Sequence, residues 1–153
     1  MLIFILLVSM FSCADGSGDT DNLGSSQNIS GETTPDGEIP REGLWANATY
    51  TSDRTFGLGS KTVKVEVKVG DSSVTFTINT DRETLGDALL DHQLIEGENS
   101  QYGIYIKKVN GITADYNIDG SYWGFYKDGE YMMTGVDQTN ISVGDHYELV
   151  YSK

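Results

Sequence analysis

DGSYWGFYKDGEYMMTGVDQTNISVGDHYELVY, residues Asp119 to Tyr151, decides how this chain is read. Tyr122, Trp123, Phe125, Tyr126, Tyr131, Tyr147 and Tyr151 fall in three short runs, and glycine-containing turns separate the runs. Rings of this size carry large apolar area and flat faces, so they either fill a small core or face a ligand. Tyr122–Tyr126 predicts a strand, Lys127-Asp128-Gly129 a hairpin turn into a strand over Tyr131–Thr134, and His146–Tyr151 a last strand. On a strand, neighbours point to opposite faces. Trp123 and Phe125 therefore share one face, and Tyr122 and Tyr126 share the other.

Working upstream, Val63, Val65, Val67 and Val69 alternate with Lys64, Glu66 and Lys68. This period of two marks a half-buried strand. Gly70-Asp71-Ser72-Ser73 turns it into a partner strand carrying Val74, Phe76 and Ile78. Thr80-Asp81-Arg82-Glu83 has the spacing of a capping box. Leu85, Ala88 and Leu89 then recur at helical spacing, which predicts a helix from about Asp81 to His92. Tyr102–Val109 reads as a further strand, closed by the tight turn Asn110-Gly111. The layout is α+β: a mixed sheet with one helix packed across it.

Residues 14–58 read as a flexible, acidic linker rich in Gly, Ser, Thr, Asp and Asn. Apolar residues are too sparse there to offset the entropy of ordering. Gly43-Leu44-Trp45 and Tyr50 stand out from that composition. Before the linker, Leu2–Phe11 is an apolar run long enough for a signal-peptide core and too short to span a bilayer. Ser12-Cys13 ends the run. Cys13 is the chain's single cysteine, which excludes a disulfide framework and any cysteine-rich metal site. The segment is similar to a bacterial lipoprotein signal, which predicts cleavage before Cys13, lipid on Cys13, and an extracytoplasmic protein anchored to the cell membrane. It departs from that pattern in Met10, where leucine is usual, and in having no Lys or Arg ahead of the run. An ordinary secretory signal with an incidental cysteine is the alternative. The expected organisation is thus signal 1–13, linker 14–58 and folded domain 59–153.

Ten Lys and Arg stand against 23 Asp and Glu, a net charge of −13. Such a surface repels nucleic acid and anionic lipid. No nucleophile elbow, phosphate-cradling glycine loop or calcium-loop spacing occurs, and His92 and His146 are isolated in sequence. The expectation is a protein without catalytic residues and without a metal site, one that holds a ligand.

The pattern Tyr122-Trp123-x-Phe125-Tyr126-x-x-Gly129, followed by Gly135-Val136 and Gly144-Asp145, resembles the transcobalamin-like C-terminal domain. The resemblance runs from about Lys61 to the end. It implies a β-grasp fold and a corrinoid such as cobalamin as ligand. It also implies that Tyr122 and Trp123 lie close to that ligand, with Tyr126 on the same strand. Met133, Gly135 and Val136 belong to a candidate binding lip beside them, because methionine adapts to irregular apolar surfaces. In the vitamin carriers the pocket lies between this small domain and a large helical one. A chain of this length is therefore expected to offer at most half of a corrinoid pocket. The expected partners are a small ligand and a membrane transporter that receives it. The alternative is a surface module that binds another protein.

Overall fold

The structure is a computed structural model, and it describes residues 37–153. Cys13, the signal and the first part of the expected linker lie outside the described residues.

The alternating valines do form a strand, and the sheet grows around it. Strands β1 (Arg54–Phe56), β2 (Lys61–Val69) and β3 (Ser72–Thr80) come first, and β2 and β3 form an antiparallel hairpin. Gly70 opens its two-residue turn at φ 60°, a conformation without penalty only for glycine. Helix α1 (Leu85–Asp91) follows, then β4 (Ile95–Ser100), β5 (Gly103–Val109) and β6 (Ile112–Thr113). After a short α2 (Tyr116–Asp119) come β7 (Tyr122–Lys127), β8 (Glu130–Tyr131) and β9 (His146–Ser152). The main sheet has the order β1-β3-β2-β9-β7-β8, while β4-β5-β6 form a second sheet. The last strand lies parallel to β2 at its centre. The α+β layout with a mixed sheet is as the sequence predicts, and a central parallel pair with a helix over the sheet is the β-grasp-like arrangement that the family resemblance implies.

One face of the main sheet is the core. Val63, Val65, Val67, Phe76, Ile78, Tyr147 and Leu149 are all buried, and Leu85, Ala88 and Leu89 of α1 join the same cluster. The other face is polar. Lys68 Nζ lies 2.6 Å from Glu148 and 3.3 Å from Glu66 across neighbouring strands.

Four expectations need correction. First, the folded body begins well before residue 59. Residues Gly43–Asn47 form a 3-10 turn that buries Trp45, and β1 pairs in parallel with β3. The side chain of Asn110 receives the Tyr50 amide at 2.9 Å and donates to the Tyr50 carbonyl at 2.8 Å. Average composition concealed a few anchors that suffice to dock the segment, since one buried tryptophan is worth roughly 3–5 kcal/mol against alanine. Second, the helix cap is Thr84, whose hydroxyl accepts from the Asp87 amide at 3.2 Å. The Thr80 hydroxyl accepts from the Arg82 amide at 3.0 Å instead of from Glu83, and no helix starts there, because the Glu83 carbonyl accepts from Ile141 and the Leu85 amide donates to Thr139. Those bonds hold the chain extended until residue 84.

Third, there are two sheets. Ile95–Ser100 lacks alternation, yet it pairs with the strand read at Tyr102–Val109 and draws it away from the main sheet. Fourth, the strand expected over Tyr131–Thr134 is only Glu130–Tyr131, because the chain then turns away at Met133.

Candidate functional site

The short β8 matters for what it leaves uncovered. It pairs with β7 only at Tyr126 and Lys127, and the Met132 amide then donates to the Phe125 carbonyl at 2.9 Å. Backbone groups alternate along a strand, so the same edge carries the N–H and C=O of Trp123. Beside this edge lies β5 of the second sheet. Between them is a groove of about 460 Å³. Its walls are Ile104, Tyr105 and Ile106 on one side and Tyr122, Trp123 and Phe125 on the other. The loop Tyr131–Val136 forms the lip, and Tyr102 and Tyr116 stand at the mouth.

Trp123 is 8% exposed and packs edge-to-face on Tyr151 at 5.6 Å. Its indole Nε1 is buried with no hydrogen-bond partner. An unsatisfied buried donor costs about 1–3 kcal/mol.

Asp137 fixes the lip. Its Oδ1 accepts from the Ile104 amide at 2.8 Å, tying the loop to β5. A methyl group on Gly103 or Gly135 would strike this carboxylate, and one on Gly86 would strike the Asp137 main chain. These close approaches explain Gly86 and Gly103, to which the sequence alone assigns no role, and show why the lip needs glycine at 135.

Two further carboxylates brace the strands. Asp145 accepts from the Tyr147 hydroxyl at 2.6 Å and the Ser142 amide at 2.9 Å, and pairs with Lys127 at 2.9 Å. Burial alone would raise its pKa, but these donors overcome that and hold it below the usual carboxylate range. Burial, reinforced by Asp145, pushes the Tyr147 phenol well up. Asp119 sits just before β7, bonded to the Ser121 hydroxyl and amide and paired with Lys153 at 3.0 Å. The Ser121 hydroxyl, then Lys153, lower its pKa to about 2.

Of the residues singled out in sequence, Tyr122, Trp123, Met133, Gly135 and Val136 line one groove. Val136 is its buried floor and Met133, 89% exposed, its outer lip. Tyr126 does not belong there. It opposes Glu148, which opposes Glu66, so it stands on the polar face of the sheet. Its ring lies over Gly124 and meets Tyr131 edge-on at 5.4 Å. Tyr122 shares that face but begins the strand, where it borders the mouth. Sequence reading missed Tyr102, Ile104, Tyr105, Ile106 and Tyr116, because nothing local shows that the second sheet folds beside β7.

Residues 83–153 match the model of a family described as a domain of unknown function, DUF4430. A crystal structure of a Ruminococcus gnavus protein, for which metal binding has been suggested, is 36% identical to the chain. It covers 61% of this chain and 98% of its own, with a TM-score of 0.58. Identity at that level over nearly the whole of the Ruminococcus protein places the chain in the same family as that protein. Haptocorrin in complex with Cbi is similar at 22% identity and a TM-score of 0.50, over 64% of this chain. The chain spans only 26% of haptocorrin, and the likeness is one of fold. No curated protein matches the chain. Among the described residues no three His, Cys, Asp or Glu side chains gather as a metal would require. His92 stacks on Phe56 at 5.2 Å, and His146 lies 3.7 Å from Glu66 on the polar face.

Proposed function

We propose that the chain is a ligand-binding module and that its groove holds one edge of a flat, amphipathic small molecule of the corrinoid class. The observation that carries this reading is the aromatic groove between β7 and β5, with the exposed rings of Tyr102, Tyr105, Tyr116 and Tyr122 along it. Rings and methionines supply apolar contact, and the free main-chain groups of Trp123 supply polar contact of the kind that amide-fringed ligands need. A groove of about 460 Å³ lies within the usual range of ligand pockets but encloses only part of a corrinoid. The haptocorrin fold likeness supports the same class. The lining offers hydroxyls and rings without a paired base, so the proposal is binding and not catalysis.

Isothermal titration of the full chain with cobinamide and with cobalamin tests the reading. It predicts saturable 1:1 heat with cobinamide at about micromolar affinity, weakened about tenfold or more by Trp123→Ala. Absence of heat at millimolar ligand overturns the corrinoid assignment. The module is further proposed to work outside the cytoplasm, anchored through Cys13 and passing ligand to a membrane transporter. Radiolabelled fatty acid that labels the chain equally with and without Cys13→Ala rejects the anchor.

A second reading rests on the rim of the groove. Tyr102 is 75% exposed, Tyr116 64% and Met133 89%, a cluster of exposed apolar groups of the kind that marks interaction sites. A protein partner seated on that rim makes the chain a surface interaction module. A stoichiometric partner recovered from solubilised membranes, by a chain indifferent to corrinoids, favours this over the first reading.

A further inference from the structure

The groove has an electrostatic character that its shape alone does not convey. None of the residues lining it bears a charge. Five of the chain's nine tyrosines (Tyr102, Tyr105, Tyr116, Tyr122 and Tyr131) line it, and all five rings are exposed. The lysines on the elements around it are already engaged. Lys107 is held by Glu98 at 3.0 Å and Asp115 at 3.6 Å, and Lys108 by Glu96 at 2.9 Å. Lys127 is held by Asp145 and Lys153 by Asp119. Glu130 of β8 adds an exposed carboxylate next to Tyr131. The whole chain carries −13.

An anion entering this groove meets no free cation and must shed water against ring faces whose quadrupoles are negative. A cation meets the opposite: several ring faces and a negative surround. From this we infer that the groove selects by charge, accepting a flat ring that is neutral or cationic and rejecting the same ring bearing a carboxylate. The inference deepens the binding reading and rests on it, but it does not require a corrinoid.

Three probes of equal ring size separate the possibilities: proflavine as cation, 9-anthracenemethanol as neutral ring and 9-anthracenecarboxylate as anion. Each is titrated into the full chain by fluorescence, at low salt and at 1 M salt, where screening shortens to about 3 Å. The cation and the neutral ring are expected to bind about tenfold or more tighter than the anion. The order should persist at 1 M salt and collapse in Tyr105→Ala and Tyr116→Ala. Equal affinity of the anion, lost in the same variants, overturns the charge selection and leaves the groove as a binding site. Proflavine binding that vanishes at 1 M salt, or that ignores both tyrosine variants, assigns it to the general acidic surface and also overturns the inference. Failure of all three rings to bind removes the groove reading itself.

Discussion

Single residues at the base of β7 set the conditions under which the site exists. Asp119 holds Ser121, the residue before Tyr122, and also holds Lys153 at the chain end. Its folded pKa of about 2 lies below the ordinary 3.8. A carboxylate depressed on folding stabilises the fold above its unfolded pKa, and that contribution disappears as pH falls through the folded value. Asp119 therefore contributes fully above about pH 4 and loses its effect between there and about pH 2. A carboxyl-carbon NMR titration should place its midpoint near 2 and show it rising in Lys153→Ala. A midpoint at the ordinary 3.8 contradicts the assigned contacts. Asn110 is the comparable residue on the far side of the body. Its positive φ of 50° and its two side-chain bonds to Tyr50 join the β5–β6 turn to the segment before β1.

At the scale of elements, the lip and the second sheet must move together for the groove to keep its width. Asp137 is the link, through the Ile104 amide and the three glycines packed around it. Removing the acceptor in Asp137→Ala should cost about 1–2 kcal/mol, since the Ile104 amide is left partly buried without a partner. Asp137→Asn keeps a carbonyl oxygen at the acceptor position and should cost less. Amide hydrogen exchange checks this: Ile104 and the residues around Gly135 should exchange faster in the alanine variant, while β2 and β9 remain protected. Uniform acceleration across the main sheet refutes a local role.

Elements also differ in how plainly the sequence announces them. β2 and β3 were legible because their ladder buries one face, and burial of one face writes a period of two into the residues, while β7 and β9 were legible as aromatic runs bounded by glycine-containing turns. The strand Ile95–Ser100 was not, because five of its six residues are exposed and no side chain needs to alternate. The cap moved from Thr80 to Thr84 for a different reason. A tertiary pairing with residues 139–141 claimed the Glu83 carbonyl and the Leu85 amide, which a helix begun at residue 81 would have bonded within itself.

For the molecule as a whole, the parallel pairing of β2 and β9 brings residues 82 positions apart into register, Lys64 beside His146 and Lys68 beside Val150. That closure sets the β7 edge where β5 can face it. Half of the candidate site was therefore legible: Tyr122, Trp123, Met133, Gly135 and Val136 sit in the aromatic stretch itself. The other wall was not, since Tyr102, Ile104, Tyr105 and Tyr116 join it only through the fold. Tyr126 was misplaced for the same reason; which face of a strand looks inward depends on the neighbours it acquires.

Amide chemical-shift mapping of the full chain during a cobinamide titration tests most directly whether this groove is where ligand sits. The shifts should concentrate in Gly103–Ile106, Tyr122–Phe125 and Tyr131–Val136, with the Trp123 indole N–H among the largest. Shifts centred on the Lys68–Glu148 face, or none at saturating ligand, would contradict it.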